Sequence, residues 1–122
     1  MPATYCIDPS IPMIFSQAYG VVTEAEILDH RRRLSDDPEF HPSFSQLIDL
    51  QDVTKVALSM AEMRIVANYT NIFSEESRRA MVAREDAVFG MARMYQMLRD
   101  EGPEEIMVFR EMPEARRWLG LN

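Results

Sequence analysis

The chain contains a single cysteine, Cys6, which excludes an internal disulfide framework and a cysteine-rich zinc site. Histidine is nearly as scarce: His30 and His41 are the only two, and they form no paired metal-binding spacing. No apolar run approaches the ~18 residues of a membrane-spanning helix, so membrane insertion is not expected. The start lacks a basic stretch leading into an apolar one, the mark of export, and a cytoplasmic location is the expectation. Positive charge is in deficit, with 13 Lys and Arg against 20 Asp and Glu and a net charge of −7. Nucleic acid and anionic membranes both require a basic footprint, so neither is an expected partner. Only four glycines occur, at 20, 90, 102 and 120, and no Gly/Ser/Pro stretch could serve as a linker. What remains is 122 residues, 47% apolar and 27% charged. That is the size and balance of one domain whose core suffices without metal or disulfide.

The elements alternate. Tyr5–Asp8 and Met13–Gly20 read as two strands around the turn chemistry of Asp8-Pro9-Ser10, most simply a hairpin. Thr23 and Glu26 have capping-box spacing, with Val22 and Ile27 placed as a hydrophobic staple; the helix they open should run to about Leu34. Leu47–Leu50 reads as a buried strand. Ser59 and Glu62 repeat the capping box, with Leu58 and Met63 as the staple; Met60, Met63, Ala67 and Thr70 give the second helix an inner face.

The last third repeats itself. Met81-Val82-Ala83-Arg84-Glu85 and Met107-Val108-Phe109-Arg110-Glu111 are each an apolar strand ending in Arg-Glu and leading into a helix. The first of these helices is expected over about Asp86–Glu101, stopping at Gly102-Pro103, and the second opens at Pro113. Strand–helix–strand crossovers imply parallel neighbours. The expected order is ββαβαβαβα: an α/β domain with a mixed sheet of about five strands and about four helices.

The stretch QLIDLQDVTKVALSMAEMRIVA, residues 46–67, resembles the signature segment of STAS domains, the SpoIIAA-like anti-sigma-factor antagonists. There a strand ending in Asp-Leu leads through a Val-Thr loop to a helix opening with Asp-Ser-Ser; Asp49-Leu50 and Val53-Thr54 match. The order of elements agrees over nearly the whole chain. FGMARMYQML and EARRWL are similar to an uncharacterised bacterial SpoIIAA-like group. The resemblance implies one STAS-like domain over residues 1–122 and a non-catalytic regulatory or adaptor role through a protein partner. It departs at the switch. The acidic residue and phospho-acceptor serine of the antagonists fall on Ala57 and Leu58, and only the next residue is a serine, so loss of the phospho-switch is expected.

Each candidate residue has a plainer reading beside it. Ser59 stands where a helix N-terminus would welcome a phosphate, yet its capping role with Glu62 accounts for it fully. Asp36, Asp37, Glu39 and His41 crowd one loop but lack the spacing of a metal site, and a solvated turn is expected. Arg84, Glu85, Arg110 and Glu111 should share the carboxyl edge of the sheet with Asp49, Asp52 and Asp86; ligands bind at that edge in open α/β sheets. Arginines there could hold an anion, or pair structurally with the acids. In His30-Arg31-Arg32-Arg33 successive side chains point ~100° apart around a helix, so a solvated helix is expected. The ten methionines pad a core, with Met91, Met94, Tyr95 and Leu98 on the inward period. Gly90 inside a helix suggests close approach of a backbone or ligand. Asn68-Tyr69-Thr70 is a glycosylation sequon without an export signal and is given no role. No catalytic residue, cofactor or metal is expected. The alternative function is binding of a small apolar or anionic molecule, on the face of the second and third helices or at the strand-end arginines.

Overall fold

Nine elements make up the computed structural model, which describes residues 3–69 and 71–121. They are β1 (Ala3–Asp8), β2 (Met13–Thr23), α1 (Glu24–Asp36), β3 (Ser45–Ala57), α2 (Met60–Tyr69), β4 (Arg78–Val82), α3 (Asp86–Leu98), β5 (Glu105–Phe109) and α4 (Met112–Trp118). The strands form one sheet in sequence order; β1 is antiparallel to β2 and all other neighbours are parallel. The expected single α/β domain and its ββαβαβαβα order are what the chain adopts.

Both capping boxes are built. Thr23 Oγ1 accepts from the Glu26 amide at 3.4 Å, and the Glu26 carboxylate accepts from the Thr23 amide at 3.2 Å. At α2 the Ser59 amide donates to Glu62 at 2.8 Å and Ser59 Oγ accepts from the Glu62 amide at 3.1 Å. Each cap satisfies helix-end amides where a strand hands over to a helix, and so fixes the crossover that follows.

Strand alternation places the layers. Leu47, Ala80 and Val82 turn to one face and pack on Ala115 and Trp118 of α4. Ile48 and Met81 turn to the other and meet Met63, Val66, Ala67, Ala92 and Tyr95 of α2 and α3. α1 joins this second layer through Ile27 and Leu34.

Several boundaries differ from those expected. β3 does not end at Leu50; it continues to Ala57, pairing with β2 through Val22 and Thr23. Val53-Thr54 therefore lies in a strand, not in a loop. Two register shifts each give β3 an extra residue, the second beside Gly20, whose φ of +69° only glycine adopts readily. The residues of β3 that reach the helical layer become Ile48, Leu50, Val53 and Val56. Their spacing of two, three and three residues erases the period-2 signal at Leu50. α3 ends at Leu98, because the Arg99 amide caps it and Gly102 belongs to the following turn. β4 and β5 end at Val82 and Phe109, leaving Arg84, Glu85, Arg110 and Glu111 just beyond the sheet. Met60 and Leu98, expected inward, are exposed. Thr70 of the expected inner face, which also completes the sequon, lies outside the described residues.

Candidate functional site

Ser59 is exposed and engaged in its cap, as its spacing predicts. Ala57 is the last residue of β3 and Leu58 lines the interior, so the two positions matching the antagonists' acidic residue and acceptor offer no hydroxyl or charge. At the carboxyl edge Arg84, Glu85, Arg110 and Glu111 are all exposed. The edge does bring Arg84, Asp86 and Arg110 together: Arg110 Nη1 donates to Asp86 at 2.6 Å and to the Arg84 carbonyl at 3.2 Å, and its guanidinium lies 4.2 Å over Phe89. Arg110 thus ties β5 to the start of α3. Glu85 and Glu111 hold the N-cap positions of α3 and α4 without a side-chain cap bond. The close approach expected at Gly90 is not there: Gly90 is exposed, and a Cβ on it would meet nothing within 4 Å. In the loop after α1, Asp37 is taken up by the Tyr5 hydroxyl at 2.7 Å and the Glu39 amide at 2.9 Å, and His41 Nδ1 accepts from the Ser43 amide.

A more polar hollow of about 380 Å³ lies on the α4 side, lined by Tyr5, Leu47, Asp49 and Arg116 among others. Between the sheet and α1–α3 is a cavity of about 140 Å³. Its walls are apolar: Ile27 and Leu34 from α1, Met63 and Val66 from α2, Val88, Met91 and Ala92 from α3, and the inward residues of β2 and β3. The curl of the bulged β2–β3 pair places Val22, Val53 and Val56 over it.

A polar cluster closes part of this wall. Gln46 Nε2 donates to Ser16 Oγ at 2.9 Å, and Gln46 Oε1 accepts from Arg79 Nε at 3.0 Å. Arg79 Nη1 donates to the Tyr95 hydroxyl at 2.7 Å and to Glu104 at 3.1 Å. The Arg79 guanidinium also lies 4.5 Å over the Phe73 ring. From the other side Arg99 Nη2 donates to Glu104 at 2.5 Å and to Asn71 at 3.0 Å, and Arg99 Nη1 donates to the Ala67 carbonyl ending α2. The side chains of Arg79, Glu104 and Arg99 are 6%, 0% and 7% exposed, so the cluster is interior and little screened. Its packing leaves room at Gly102 for no side chain: a Cβ there would stand 2.6 Å from Arg99 Nη2 and 2.9 Å from Glu104 Oε1.

α1 contributes two more polar groups. His30 and Arg31 line the cavity, and His30 Nε2 and Arg31 Nε are buried without a hydrogen-bond partner. The solvated-helix reading of His30-Arg31-Arg32-Arg33 therefore holds for the outer half only. Arg32 and Arg33 pair with Asp29 at 2.6 and 3.0 Å, while His30 and Arg31 reach inside. Burial, followed by the positive charges of Arg33 and Arg79, holds the His30 pKa down to about 4, against Asp29 and a Thr4 backbone hydrogen bond. The imidazole is neutral at pH 7.

Residue spacing did not point to Gln46, Arg79 and Glu104 as partners, since the Gln46–Arg79 and Arg79–Glu104 contacts join positions 33 and 25 residues apart; Arg99 and Glu104 are five apart, across one turn. The one local sign is Arg79 itself, a charge at the head of the apolar run Ala80–Ala83.

No family model matches this chain, and no curated protein does. Among solved structures it is similar to an uncharacterised protein from the DUF3478 family with a SpoIIAA-like fold from Shewanella loihica PV-4. The TM-score is 0.62 at 18% identity, covering 96% of this chain and 93% of that one. The likeness establishes a SpoIIAA-like fold, the fold that residues 46–67 imply. Among the described residues no helix is long and apolar enough to cross a membrane.

Proposed function

We propose that this chain is a non-catalytic, ligand-binding regulatory domain that holds a small, mostly apolar molecule between its sheet and α1–α3. The cavity carries this reading. Natural interiors pack to crystal-like density with few voids larger than a water molecule, so an apolar space of about 140 Å³ calls for an occupant. An engineered cavity of ~150 Å³ takes up benzene, which sets the scale of the ligand at one ring or a short chain. Met63 and Met91 in the wall adapt to differently shaped guests. Among the described residues the lining offers no carboxylate or thiol, and Ser16 Oγ is occupied by Gln46, which favours binding over catalysis.

The experiment is a thermal-shift titration of the purified chain with toluene and 1-hexanol. A ligand of the native state raises Tm with the logarithm of its concentration above Kd. Ala92→Leu, which puts a larger side chain into the cavity, should abolish the shift. An unchanged Tm at all concentrations, or a shift that Ala92→Leu leaves intact, overturns the reading.

A protein partner is the second reading, supported by the fold and by Met60, Ile65 and Tyr69, exposed apolar residues on α2. Ligand occupancy and partner binding are compatible. A domain that binds its partner differently when the cavity is filled would be a regulator in the sense the resemblance implies.

A further inference from the structure

The charges around the cavity narrow its ligand. The chain carries 20 acidic residues and a net charge of −7, yet no Asp or Glu among the described residues lines the cavity. The formally charged residues that do line it are Arg31 and Arg79, both cationic. In the cluster behind Arg79, two guanidiniums share the single carboxylate of Glu104. One positive charge is left over in a region screened from water, an unfavourable arrangement unless something offsets it. The Phe73 and Tyr95 rings and the carbonyl end of α2 offset it in part, through cation–π contact and the helix dipole. Arg31 Nε, a donor, is buried without a partner. Buried donors left unpaired are expensive, and in native proteins they commonly await a water, an ion or a ligand.

We infer that the cavity takes a small monocarboxylate, its anionic head against Arg31 and Arg79 and its apolar body along Val53, Met63 and Val88. The inference rests on the ligand-binding reading and adds the chemical class. A carboxylate fits the polar groups in charge and number, because its two oxygens accept up to about four hydrogen bonds and guanidinium presents its donors in a matching fork. The size fits as well: about six to ten heavy atoms, a benzoate or hexanoate rather than a long-chain lipid, by comparison with the benzene-sized cavity. Positive potential already acts across the site, since Arg79 contributes to the depressed pKa of His30.

The test compares acids with neutral analogues of equal size. Benzoate and hexanoate are titrated into the full chain at pH 7 by calorimetry, beside benzyl alcohol and 1-hexanol. The expected result is at least tenfold tighter binding of the acids. Arg31→Met leaves the Glu104 cluster intact and should weaken the acids at least fivefold without changing the alcohols. Alcohols binding as tightly as the acids would overturn the monocarboxylate assignment and leave the cavity reading standing. Acid binding that Arg31→Met leaves unaltered would place the anion elsewhere and overturn the assignment too. Binding of neither class would remove both the assignment and the reading beneath it.

Discussion

Replacing Glu104 with Gln preserves the shape of the side chain and removes the one negative charge between two buried guanidiniums. In the native protein its Oε2 accepts from Arg79 Nη1 and Arg99 Nε and its Oε1 from Arg99 Nη2. An amide offers one acceptor in place of two and turns its NH2 toward a cation, so one arginine loses its partner. Breaking a buried pair on one side costs about 3–5 kcal/mol, because the remaining charge cannot return to water. Against a total stability of roughly 5–15 kcal/mol that loss is severe, and in a chain of this length it lowers Tm by roughly 12–20 °C. Urea unfolding followed by far-ultraviolet circular dichroism measures it: the midpoint should fall with the slope unchanged, the sign of lost stability rather than an altered denatured state. Asp86→Asn is the control. It breaks the exposed Arg110 pair, which solvent screens, and no measurable change is expected. A Glu104→Gln loss below about 1 kcal/mol would refute the reasoning and mean that water reaches the cluster.

The glycines should respond with opposite signs. Gly90→Ala should stabilise by about 0.5–1 kcal/mol, since Gly90 lies exposed inside α3 with open space at its Cβ; Gly102→Ala should destabilise by about 1–3 kcal/mol by displacing Arg99 and Glu104, and chemical denaturation reads both. Ser59→Ala should cost ~0.5–2 kcal/mol and Ser59→Asp almost nothing, as aspartate also caps; a Ser59→Ala protein of wild-type stability, with Ser59→Asp abolishing partner binding, would restore a phospho-switch at Ser59. His30 titrates near 6.5 unfolded and about 4 folded, so the unfolded chain binds the proton first as pH falls. Stability is therefore fully present above pH 6.5 and declines toward pH 4, by at most about 3 kcal/mol from this group. His30→Leu should flatten denaturation midpoints across that window, and an unchanged slope would show that His30 is solvated.

The legible parts of the fold are the local ones. Both capping boxes could be read from their residues because a cap is settled within four positions. The alternation of strand and helix and the parallel neighbours followed from apolar periodicity and crossover length, and the SpoIIAA-like order from the resemblance of residues 46–67. β3 was legible only to Leu50, since its two extra residues break the period on which strand recognition rests. The polar site was hidden for a different reason. His30 and Arg31 sit in a run of cations that looks solvated, and only the packing of α1 on the sheet separates the pair that turns inward from Arg32 and Arg33. Arg79 lies in β4, while Arg99 and Glu104 flank the turn between α3 and β5, and nothing local in the spacing signals that Arg79 meets them. The strand-end arginines, by contrast, stood out in the sequence through their repetition, yet Arg110 is committed to Asp86 and the Arg84 carbonyl.

The account stands on the cavity being a binding site. The measurement that reaches it most directly is a methyl-resolved NMR titration of the full chain with benzoate. The predicted result is saturable shifts concentrated on the methyls of Val53, Met63, Val66, Val88 and Ala92, with intermolecular nuclear Overhauser contacts from the ring to the same groups. Shifts confined to exposed positions such as Met60 and Met97, or none at millimolar benzoate, would contradict it.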